Sequence, residues 1–166
     1  MDKVRAICID LDDTLWDLAP VIPRAERALY AWFGDRYPRV VECYSEADIR
    51  HMRAQVAIDY PDLRHNLTEL RMRVLREIAA TAGYAETMAA EAFDVFDKER
   101  NTVELFDDVL PNLTRLRDRY RLFALSNGNA NLAAIGIAGY FDAAFAAREL
   151  GLSLIHISEP TRLLRR

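Results

Sequence analysis

The fold turns on Val4-Arg5-Ala6-Ile7-Cys8-Ile9-Asp10-Leu11-Asp12-Asp13-Thr14-Leu15-Trp16-Asp17. A short, mostly apolar run, Val4 to Ile9, ends abruptly in carboxylates. Such a run predicts a buried strand of a parallel sheet. On that reading Cys8 is a small buried side chain. Asp10 and Asp12, two positions apart, leave the strand end on one side. Burying both unpaired is costly, so a cation or a shared chemical task is expected there. In an open α/β sheet, ligands bind beyond this end of the strands. The competing reading of the isolated pentapeptide is an acidic turn capping the next helix.

Working outward, Arg121 to Leu125 reads as a second strand, ending at Ser126-Asn127-Gly128. Phe141 to Ala147 is a weaker third. Between the first two strands the spacing is helical. Ile22, Ala25, Leu29 and Trp32 share a face, with Gly34 as the expected stop. Ser45 and Asp48 form a capping box. Leu67, Leu70, Val74 and Ile78 mark another helix, closed by Gly83. Ala85 to Phe96 follows, and Asp108 is the expected cap of a helix from Val109 to Arg119. Asp10 and Ser126 lie 116 positions apart, whereas a plain strand–helix–strand unit takes roughly 30 residues. The pattern therefore predicts an α/β core, residues 1–15 and 101–151, with a helical domain at 16–100 inserted after the first strand.

Over 166 residues, 51% are apolar and 29% charged, the composition of a soluble globular protein. The net charge of −4 gives no basic footprint for nucleic acid or an anionic membrane. The first apolar run is too short for a signal peptide, and no segment approaches the roughly 18 apolar residues of a membrane span. Cys8 and Cys43 form no disulfide framework, which suits a cytoplasmic setting. His51, His65 and His156 show no metal-ligand spacing. Arg64, Arg71, Arg73 and Arg76 read as a solvated helix face, with a phosphate-reaching patch on the helical segment as the alternative. Tyr30, Trp32, Phe33 and Tyr37 fit packing within the helical segment.

Strand-Asp10-x-Asp12-x-Thr14-Leu15 resembles the first motif of the haloacid dehalogenase (HAD) superfamily. LFALSNGN, with Ser126, resembles its second, and the helical insertion sits where that family carries a helical cap. DLDDTLWDLAPVIPRAERALYAWF and SNGNANLAAIGIAGYFDAAFAARELG are similar to bacterial phosphatases of this family acting on FMN and a riboflavin precursor. The resemblance implies a HAD-like Rossmannoid parallel sheet and Mg²⁺-dependent hydrolysis of a small phosphorylated metabolite. It makes Asp10 the nucleophile that forms an aspartyl-phosphate. Asp12 becomes the general acid and base. Mg²⁺ falls to the Asp10 carboxylate and the Asp12 backbone carbonyl. Thr14 braces the loop, and Ser126 with the Asn127 N–H holds phosphoryl oxygens. Trp16 and Asp17 are candidates for the substrate pocket or the cap hinge. Dehalogenases of the family resemble Asp-x-Tyr in the first motif, so the second Asp here implies phosphate-ester hydrolysis. The alternatives are a haloacid dehalogenase and a non-catalytic binding protein.

The resemblance also implies a lysine after a segment like AARELG, then a strand ending in acids that complete the Mg²⁺ site. The only lysines are Lys3 and Lys98. Arg148, Arg162 and Glu159 are poor substitutes. Leu152 to Arg162 resembles a translated sequencing adapter, so residues 152–166 read as a non-native tail on an incomplete core. The expectation is an inactive, poorly soluble chain with an uncovered sheet edge. Genomic DNA carrying these codons at the locus would overturn the adapter reading.

Overall fold

A computed structural model describes residues 4–126 and 128–146. The segment 152–166 and the catalytic substitutes considered above, Arg148, Glu159 and Arg162, lie outside them. Strands β1 (Ala6–Asp10), β2 (Arg121–Ser126) and β3 (Ala143–Ala146) form a parallel sheet in the order β1-β2-β3. Asp10 lies opposite Leu125, and Ser126 opposite Ala146. The acidic end of β1 and the serine end of β2 are thus set at one edge of the sheet. Asp142 fixes the third strand. Its Oδ2 accepts the Leu122 N–H at 2.9 Å, and its own N–H donates to the Leu122 carbonyl at 2.8 Å.

Strand β2 is the buried one, with Leu122, Ala124 and Ser126 all enclosed. Strand β1 is not buried throughout, contrary to the expectation from its apolar run. Ala6, Cys8 and Asp10 are exposed, and Ile7 and Ile9 half-buried. Among the described residues β1 pairs only with β2, and one of its faces is bare. Cys8 is accordingly exposed.

Helix α1 (Val21–Arg36) buries Val21, Ala25, Leu29 and Phe33. Gly34 does not end it. The chain breaks at Tyr37 (φ −137°, ψ 61°) because Pro38 opens α2 (Pro38–Cys43) and disfavours a helical residue before it. Ser45 and Asp48 make the expected capping box of α3 (Glu46–Asp59). Helix α4 (Leu67–Thr81) closes at Gly83, whose φ of +70° suits glycine. There the Tyr84 N–H reaches back to the Ala79 carbonyl, a Schellman closure. Helix α5 (Thr87–Arg100) runs a turn beyond the predicted Phe96. Helix α6 (Val109–Arg117) starts at Asp108, but that side chain makes no capping hydrogen bond because its own backbone is already helical. The four-residue α7 (Leu132–Ile135) is capped by the Asn131 side chain.

Buried apolar residues form two clusters. One lies within the helices and includes Phe33, Val74, Ile78, Met88 and Phe96. The other joins Leu11, Leu15 and Trp16 to Val109, Leu113, Leu122 and Ile137 around the sheet. Trp32 and Tyr37 pack against the first, with ring centroids 5.1 Å apart. No described helix is long and apolar enough to cross a membrane.

Candidate functional site

The chain turns immediately after β1. The Leu11 carbonyl accepts the Thr14 and Leu15 N–H groups at 3.1 and 2.8 Å. Asp13 adopts φ 59°, a left-handed conformation that Asp tolerates, and its Oδ1 accepts the Leu18 N–H at 2.9 Å. Leu11, Leu15 and Trp16 point into the sheet-side cluster and pin the turn from beneath.

Asp12 is held from two sides. The Trp16 indole N–H donates to its Oδ1 at 3.0 Å. Nη2 of Arg100 lies 2.7 Å from both carboxylate oxygens. Arg100 is the last residue of α5 and only 1% exposed. Its Nε donates to Asn129 Oδ1 at 3.1 Å, while its Nη1 is buried without a hydrogen-bond partner. Asn101 continues the network by accepting the Asn131 N–H at 2.7 Å. The sequence reading missed Arg100. A signal was present, since Met88, Ala92, Phe96 and Arg100 recur every four residues, which puts an arginine on the buried stripe.

Ser126 ends β2 and is 6% exposed, with its Oγ accepting the Gly128 N–H at 2.9 Å. Gly128 is there because space is short. A Cβ on it would sit 2.6 Å from Asp12 Oδ2 and 3.4 Å from Ser126 Oγ. The fold therefore brings Asp12, Ser126 and Arg100 to one point, although they come from three distant segments. Asp10 ends β1 at the same sheet edge and is exposed. Thr14 is exposed on the turn. The exposed Asp17 accepts the Ala19 N–H at 2.9 Å, a local turn bond. Trp16 has 0% exposure and is packed in the sheet-side core, with backbone bridges to Asp12 and Leu105. Asn127 lies outside the described residues. Among the described residues, no three His, Cys, Asp or Glu side chains converge as a metal-binding group.

The helical arginines differ from the expected solvated face. Arg73 and Arg76 do pair with Glu69 at a half-exposed surface, at 3.2 and 3.4 Å. Arg71 is turned inward instead, its guanidinium 3.4 Å from the centroid of the buried Phe96 ring. Helix α4 carries Leu70, Val74 and Ile78 on its core face, and Arg71 flanks that stripe.

A parallel sheet with paired aspartates beyond one strand and a serine ending the next defines an α/β core whose ligand end lies beyond the carboxyl ends of its strands. Residues 4–163 match the haloacid dehalogenase-like hydrolase family, and the chain belongs to it. It is 29% identical over 157 residues to the Escherichia coli 5-amino-6-(5-phospho-D-ribitylamino)uracil phosphatase YigB, covering 92% of this chain. The chain spans 66% of that relative's length. Among solved structures, a 2-haloacid dehalogenase from Pseudomonas syringae superposes with a TM-score of 0.83 at 34% identity, covering 91% of this chain and 67% of that one. The Bacillus subtilis HAD-hydrolase YfnB, solved with magnesium, shares the fold at a TM-score of 0.56 and 16% identity, covering 99% and 77%.

Proposed function

We propose that the site hydrolyses phosphomonoesters through an aspartyl-phosphate on Asp10. The observation that carries this reading is the second aspartate, Asp12, fixed beside Ser126 at the sheet edge. An alkoxide leaving group needs a proton, and a positioned carboxyl group can supply it. Asp10 would attack phosphorus, releasing the alcohol that Asp12 protonates. Asp12 would then take a proton from the water that opens the acyl-phosphate. The donors from Arg100 and Trp16 fix the orientation of the Asp12 carboxyl group at the strand end. Ser126 Oγ and the backbone around Gly128 would hold phosphoryl oxygens.

The donors at the end of β1 are all oxygens, the ligand type that Mg²⁺ takes. Arg100 and Trp16 occupy the Asp12 carboxylate, leaving the Asp10 carboxylate and the Asp12 carbonyl to hold the ion. Mg²⁺ there would offset the repulsion between phosphate and carboxylate. A riboflavin-pathway phosphate or FMN is the proposed substrate, supported by the similarity to YigB. The resemblance to a 2-haloacid dehalogenase favours the second reading, displacement of halide by Asp10. Halide leaves without a proton, so that reading gives Asp12 no task.

Phosphate release from p-nitrophenyl phosphate and FMN, with Mg²⁺, should be measured beside chloride release from 2-chloropropionate. With both lysines of the chain ahead of Ser126, at most a trace of phosphate release is expected, and Asp10→Asn should abolish it. Chloride release, or phosphate release indifferent to Asp10→Asn, would overturn the reading.

A further inference from the structure

The helical half holds a cationic cavity that the chemistry above does not use. Ile22, Leu70 and Phe96 form apolar walls, and Arg53, Arg71 and Asn129 supply polar groups. Arg53 and Arg71 both face the same oxygen of Glu26, Arg71 at 3.9 Å. The neighbouring Glu46 is paired with Arg50 at 3.7 Å. One carboxylate thus serves two guanidinium groups, leaving a positive charge in excess. The Arg71 side chain is only 12% exposed. Burial and the nearby Arg53 charge push it down to about 9, the sign of a cation short of counterions. Stacking on Phe96 offsets part of that cost.

The cavity also adjoins the reactive carboxylates. Asn129 lines it and accepts from Arg100, and Arg100 grips Asp12. A guanidinium fork is the side chain best matched to an anionic oxygen pair, and apolar walls accept a hydrocarbon or aromatic body.

We propose that this cavity is a separate anion site that takes a carboxylate carried on an apolar or aromatic body, rather than the phosphate ester that is hydrolysed. This site does not rest on the phosphatase reading.

Benzoate, which carries no phosphate, is the probe, with benzamidine as a cation of the same shape. Amide chemical shifts are followed in wild type, Arg71→Gln and Asp10→Asn. Benzoate should shift Ile22, Phe96 and Asn129 in wild type and Asp10→Asn alike, and benzamidine should shift none of them. Binding in Arg71→Gln should be weaker by about tenfold or more, the loss of one charge-assisted contact. Arg53→Gln, at a more exposed side chain, is the companion variant should Arg71→Gln not fold, with the same expectation. No benzoate shifts in wild type, equal response to benzamidine, or full binding in the arginine variant would overturn the site. Because Asp10→Asn keeps the anion site while removing the chemistry, failure of either proposal is read separately.

Discussion

Arg100 and Asp12 illustrate what a single buried pair decides. The arginine side chain is 2% exposed and the aspartate 18%. Desolvating two charges is costly, and the pair holds because Trp16 and Asn129 satisfy further hydrogen-bonding groups. Removing one partner strands the other. Arg100→Ala is therefore expected to destabilise the protein by about 3–5 kcal/mol, read from urea denaturation. Arg100→Ala combined with Asp12→Ala should cost clearly less than the two single changes summed. Strict additivity would mean that the pair contributes no coupling. Arginine identity matters too, because lysine cannot contact Asp12 and Asn129 with two separate nitrogens.

At the level of elements, the start of α3 is a local device with a pH signature. Hydrogen bonds from the Ser45 side chain and backbone hold the Asp48 carboxyl below its ordinary value of 3.8. A carboxyl lowered in the folded state stabilises above its unfolded value, and that contribution fades as pH falls through the folded one. Ser45→Ala should lower the melting temperature at neutral pH, and the gap from wild type should narrow below pH 3.8, leaving the part due to the lost Ser45 Oγ bond to the Asp48 N–H. A gap independent of pH would show that Asp48 is not linked to the cap. Strand β1 gives a second test. Cys8 and Cys43 are both exposed, so each should react with a water-soluble disulfide reagent in the native protein, without denaturant. Protection of Cys8 would mean that its face of the sheet is covered in solution.

Across the whole molecule, two buried clusters share no residue. Ile78, in the helical cluster, and Leu122, in the sheet-side cluster, are both fully buried. Replacing either by alanine should cost about 2–5 kcal/mol by urea denaturation. The double variant should lose the sum, since the sites have no common neighbours within either cluster. Marked non-additivity would reveal one continuous core.

Much of this architecture was legible in the residues themselves. The apolar run ending at Asp10, the Ser45–Asp48 box and Gly83 act through backbone dihedrals and neighbouring hydrogen bonds, which local sequence encodes. Gly34 misled because glycine merely permits a stop, while Pro38 enforces one at Tyr37. The exposure of β1 was not legible, since an apolar run does not say how many strands flank it. Nor was the grip on Asp12, because Arg100 reaches it across 88 positions. Its place on a buried helical stripe was visible, but its partner was not. The same holds for Arg53, Arg71 and Glu26, which meet only where α1, α3 and α4 pack. Sequence alone determined the strand with its paired aspartates, the serine ending the next strand, and the helices between them. Tertiary structure alone decided which charges meet, because the energy of a buried ion depends on the atoms that surround it rather than on its place in the chain.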